Sequence, residues 1–136
     1  MSASKRKSKL VNNSDRDIPI GFELRLIRTE LKLSMKTVSE ALAVSENYIS
    51  LIERDKQVPS DHLIREIAKY YNMDEKYLFD RFGRIPLTVA EEIQENEVLS
   101  EVLYEISSDN RLTDEQKDKL YRSIKGLYQD ISNEKS

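Results

Sequence analysis

Ser45, Glu46, Asn47, Ser50 and Leu51 fall within two helical turns of one another, and at helical spacing they share one face. Their chemistry is that of recognition. An asparagine on such a face can pair with adenine through two hydrogen bonds, and a leucine can touch a thymine methyl without bonding to a base edge. A face of this kind fits the major groove of duplex DNA.

Such a face needs a short helix held from behind. Val38 and Leu42 are four residues apart, Val44 follows, and Ile49 and Ile52 are three apart, so these five form the inner side of a helix pair with Val44 in the turn. Ser34 and Ser45 stand before the two periodic runs, where a hydroxyl can accept the orphan N–H groups of a first turn. Two caps this close demand two helices and a tight turn.

On these residues the segment from about Gly21 to Phe79 resembles the Cro/CI-type, or XRE, helix-turn-helix family of bacterial and phage repressors. The resemblance rests on Val38, Ser39, Leu42, Val44, Ile49 and Ile52, on Leu51-Ile-Glu-Arg-Asp55, and on the helix start Val58-Pro-Ser-Asp61. It implies an all-α fold, a five-helix DNA-binding domain in which Ser45, Glu46, Asn47, Ser50 and Leu51 read bases. By the same resemblance Arg28, Lys36, Arg54 and Lys56 bind phosphates, and Arg28 pairs with Glu53 across the helices. Three positions depart from the pattern. Met35 replaces a glutamine that anchors a phosphate, Leu51 replaces an arginine or glutamine that reads a base, and Ala43 replaces the turn glycine, at a cost of about 1 kcal/mol if its φ is positive.

Composition narrows the alternatives. The 136 residues include no cysteine and a single histidine, His62, which excludes disulfides, Cys-His catalysis and multi-histidine metal sites. No Gly-rich loop or Ser-His pair suggests an enzyme, and no cofactor is expected. The sequence has neither a long apolar run nor an apolar stretch behind its basic start, so we expect a cytoplasmic protein, nucleoid-associated when bound to DNA, without a signal peptide. The net charge of −3 hides an asymmetry: residues 1–86 hold 16 basic against 13 acidic side chains, and residues 87–136 hold 6 against 12. A basic front and an acidic rear suit a DNA-facing domain with an appended segment.

Four parts are expected. Residues 1–17, with Lys5-Arg-Lys-Ser-Lys9, read as a disordered basic tail, either a solubility tail or an arm along DNA. Residues 18–80 form the helix-turn-helix domain, with Phe22 and Leu26 expected in its core, a fourth helix opened by Ser60 and a fifth capped by Asp74. Residues 81–87 form a linker around Gly83 and Pro86. Residues 88–134 form a C-terminal helical hairpin, with capping boxes at Thr88-Val-Ala-Glu91 and Thr113-Asp-Glu-Gln116.

Leu99, Val102, Leu103 and Ile106 make the stripe of its first helix; Leu120, Ile124, Leu127 and Ile131, at spacings of four, three and four, make that of its second. Two helices bury too little to stand alone, so a homodimer through these residues is expected. The hinge and hairpin also resemble, more weakly, short repressors paired with an ImmA/IrrE-type metallopeptidase, which implies a regulatory protease or antirepressor as a further partner. The competing readings are an antitoxin-type controller and a protein-interaction module that kept the fold without DNA binding.

Overall fold

The computed structural model describes residues 18–134; the basic tail expected over residues 1–17 lies outside the described residues. All regular elements among the described residues are helices: α1 (Ile20–Glu30), α2 (Met35–Leu42), α3 (Glu46–Glu53), α4 (Asp61–Tyr70), α5 (Glu75–Arg81), α6 (Leu87–Glu95), α7 (Glu97–Ser108) and α8 (Asp114–Glu134). The chain divides into two compact units with the boundary between Ala90 and Glu91.

In the first unit local chemistry sets the ends of the helices. Ser34, Ser45, Ser60 and Asp74 each accept a backbone N–H from three residues on, at 3.0 to 3.2 Å, which starts α2, α3, α4 and α5. The C-termini of α1 to α5 share one ending. Lys32, Ala43, Asp55, Asn72 and Gly83 take positive φ, and the N–H of each following residue bonds back five positions, as in Val44 to Ser39 and Met73 to Ala68. This is the Schellman closure, which satisfies the last carbonyls of a helix and turns the chain sharply. Only Gly83 adopts the left-handed conformation without a side-chain penalty.

The core gathers Ile20, Leu24 and Ile27 of α1, Val38 of α2, Ile49 and Ile52 of α3, Leu63, Ile64, Ile67 and Ala68 of α4, Tyr71 and Met73 after it, and Leu78 and Phe79 of α5. Phe22 and Leu26, expected here, are not in it: Phe22 is exposed and Leu26 half-buried. The buried face of α1 instead runs through Ile20, Glu23, Leu24, Ile27 and Arg28. Two charged residues on that stripe disguised it as the solvent side. Glu23 is buried because Tyr77 Oη donates to its carboxylate at 2.9 and 3.0 Å and Arg81 Nη1 at 2.8 Å, while Arg81 Nη2 donates to the carbonyl of Ile18. Desolvation, and then the bond to Glu23, push the Tyr77 phenol up to about 12.

The Thr88 capping box does not form. The helix starts one residue earlier, with the Pro86 carbonyl accepting from Val89 and Ala90. Thr88 Oγ1 instead donates to Glu75 Oε2 at 2.7 Å and accepts from Arg65 Nη2 at 3.2 Å, and Leu87 packs against the core.

The single helix expected after it is two, α6 and α7. Asn96 separates them and caps α7, its side-chain oxygen accepting from Leu99 N at 2.9 Å. In the second unit the Thr113 box is present in full: Thr113 Oγ1 accepts from Gln116 N, and Gln116 Oε1 accepts from Thr113 N. The region expected as a two-helix hairpin therefore contains three helices.

Candidate nucleic-acid interface

The inner face of α3 is anchored by Ile49 and Ile52, both buried, against Val38 and the partly covered Leu42 and Val44. Ala43 makes the turn between α2 and α3 at φ 57°, the left-handed conformation whose cost the sequence flagged. Two further contacts fix the far end of the helix. Arg28 Nε and Nη2 donate to Glu53 Oε2 and Oε1 at 2.7 and 3.0 Å, a buried two-pronged ion pair, and Arg28 Nη1 donates to the Leu33 carbonyl at 2.8 Å. Such a fork fixes direction as well as charge. The bond to Glu53 raises the Arg28 pKa against its own desolvation, and burial with the neighbouring Glu53 raises that of Tyr71, so a charged guanidinium stands beside a neutral phenol.

The second contact seats the backbone of α1 on the end of α3. Gly21 of α1 donates its N–H to Asp55 Oδ1 at 2.8 Å, and a Cβ at Gly21 would lie 2.1 Å from the Ile52 carbonyl oxygen. No side chain fits there, which is why this position is glycine although its φ is ordinary for any residue. Gly21, Asp55 and the Glu23–Tyr77–Arg81 group escaped the sequence reading. The glycine just inside a helix start was the one local signal.

The side chains expected to read bases lie away from that anchorage. Glu46 and Asn47 are exposed, Ser50 and Leu51 half-buried, and Ser45 is exposed while its oxygen caps α3. Ser50 Oγ accepts from Arg54 Nε at 3.2 Å, which draws the Arg54 side chain along the helix. Lys36, Arg54 and Lys56 are exposed. Arg28 is not available in the same way: its guanidinium is turned inward and committed to Glu53 and Leu33, so its expected phosphate contact is withdrawn and its place is structural.

The residues expected to dimerise all lie in the second unit. Leu99, Leu103 and Ile106 are half-buried, and Val102, Leu120, Ile124, Leu127 and Ile131 are exposed.

Residues 24–78 match the helix-turn-helix family model, a match that runs from α1 into α5 and covers less than half of the chain. No curated protein and no solved structure matches the chain. The matched segment is a DNA-binding helix-turn-helix domain of the Cro/CI, or XRE, type, the domain of transcription regulators. Among the described residues no helix is long and apolar enough to cross a membrane, and no group of three His, Cys, Asp or Glu side chains is placed to hold a metal ion.

Proposed function

We propose that the protein is a sequence-specific transcriptional repressor that binds an inverted-repeat operator as a homodimer. The observation that carries this reading is the division of α3 into two faces. One is buried and clamped by Arg28–Glu53; the other carries exposed Glu46 and Asn47 with Ser45, Ser50 and Leu51 beside them. A rigid helix with a free polar edge can enter a major groove, where Asn47 pairs with adenine and Leu51 meets a thymine methyl. Lys36, Arg54 and Lys56 are exposed and would neutralise phosphates, setting register without reading sequence.

Dimerisation through the second unit would present two copies of α3 to successive grooves, with half-site centres about 10 bp apart or a multiple of that. Occupying the operator blocks transcription. The test is a gel shift with duplex DNA from upstream of the protein's own gene at two salt concentrations. Asn47→Ala is expected to weaken operator binding by about 1 to 3 kcal/mol and random-sequence binding very little. Lys56→Ala should weaken both and reduce the salt dependence. Failure to bind any duplex at low salt would turn the reading to a protein-interaction module.

A further inference from the structure

The exposed stripe of α8 has a more specific pattern than apolar content alone. Leu120, Ile124, Leu127 and Ile131 are spaced four, three and four, so they occupy the d, a, d and a positions of two heptads. They remain 40, 50, 61 and 55 % exposed, so the described residues leave about half of the stripe uncovered. Both a positions are isoleucine and both d positions leucine.

We propose that α8 pairs with α8 of a second copy as a parallel, in-register, two-stranded coiled coil; this rests on the dimer reading above and specifies its interface. In a parallel pair a meets a and d meets d, and β-branched residues at a with leucine at d favour two strands. In an antiparallel pair a packs near d, and sorting isoleucine from leucine would serve no geometric purpose. The flanks of the stripe admit an identical helix. Asp114, Tyr121 and Tyr128 stand at e and Gln116, Ser123 and Asp130 at g, so Asp114 and Asp130, at opposite ends of the helix, are the two charges among them.

Charge argues against the alternative surface for a second copy. From Leu87 to Asn110 the chain carries Glu91, Glu92, Glu95, Glu97, Glu101 and Glu105 without one lysine or arginine. Two copies meeting through α6 or α7 would set carboxylates against carboxylates, whereas α8 mixes both signs along its outer side. In the parallel pair both chains leave the coil at the same end.

The chain has no cysteine, so single cysteines report pairing without background. Leu120→Cys, Ile124→Cys and Ile131→Cys are each introduced into the full chain, oxidised, and run on a non-reducing gel, with Lys125→Cys on the outer side as the control. All four positions are exposed, so the buried core of the first unit is untouched. A disulfide needs Cβ atoms about 3.5 to 4.5 Å apart. The parallel coil therefore predicts that each stripe variant links to itself about tenfold more than the control. Positions 120 and 131 lie about 16 Å apart along a helix, so an antiparallel pair would link them only when the two variants are mixed.

Mixed-only linkage would overturn the parallel register and leave the dimer standing. A protein that sediments as a dimer with no stripe linkage would overturn α8 as the interface. A wild-type chain that sediments as a monomer would overturn the dimer reading itself.

Discussion

In the N-terminal unit a core of fourteen apolar residues is buried together with Gly21, Pro59 and four polar or charged residues, whereas between Glu91 and Glu134 no residue is. Yet both regions are helical, and the second has the more regular apolar spacing. The difference lies in what each sequence can satisfy alone. Five short helices arranged around one core cover each other, and even the buried charges Arg28, Glu53 and Glu23 find partners within hydrogen-bond distance. α8 is 21 residues long, with local support from its capping box and from Arg122–Asp118. Its stripe stays largely exposed among the described residues. A helix of that length is sustained chiefly by packing, which the second copy of the dimer proposed above would supply.

Deleting core volume should separate the two regions most sharply. Phe79→Ala is expected to cost the N-terminal unit about 3 to 5 kcal/mol in denaturant melts, close to the whole stability of a small domain. Ile124→Ala should shift the same melt by less than about 0.5 kcal/mol. Equal losses would mean that the two regions fold as one.

The buried charge cluster gives the next effect. Glu23→Ala strands the Tyr77 hydroxyl and Arg81, and about 3 kcal/mol is the expected loss, at the lower end for breaking a buried pair because Arg81 retains some solvent. The same cluster predicts alkaline sensitivity. The folded pKa of Tyr77 is raised to about 12, so its contribution is fully present below the unfolded value near 10 and is lost as pH rises through 12. Tyr71 is raised in the same direction by burial. Absorbance titration should show these two ionising after the exposed tyrosines, and only once the first unit begins to melt.

Two substitutions of opposite sense have the smallest effects. Ala43→Gly relieves a left-handed residue and should raise the stability of the first unit by up to about 1 kcal/mol. Gly126→Ala in α8 meets nothing within 4 Å and should increase helicity by up to about 1 kcal/mol without moving the melt of the first unit. A gain from Gly126→Ala in that melt would show that the comparison is drawn too sharply.

Much of this was legible from local chemistry. Ser34, Ser45, Ser60 and Asp74 announced four helix starts because an N-cap depends on residues within one turn. Ala43 was flagged as a strained turn for the same reason. The failures occurred where a distant partner decides. Thr88-Val-Ala-Glu91 and Thr113-Asp-Glu-Gln116 obey the same rule, but Glu75 and Arg65 reach Thr88, whereas Thr113 bonds to Gln116 within its own turn. On α1, periodicity favoured Phe22 and Leu26 because the true inner stripe includes Glu23 and Arg28, whose partners Tyr77, Arg81 and Glu53 lie 25 to 58 residues away. Of the candidate interface, the outer residues of α3 could be named from spacing. The inward turn of Arg28 could not, because it depends on how many of its donors the fold consumes.

The close seat of Gly21 on the Ile52 carbonyl bears on how such a protein can change over generations. Helix α3 is mounted from behind by backbone, by Asp55 and by Glu53, none of which is on its outer edge. Positions 46, 47, 50 and 51 can then be exchanged as a set while the mount keeps its alignment. A library randomised at those four positions and selected on altered operators should yield folded proteins at high frequency, whereas the same library built on Gly21→Ala should yield few. Preference for a new DNA sequence can thus arise in small steps without the fold being rebuilt each time.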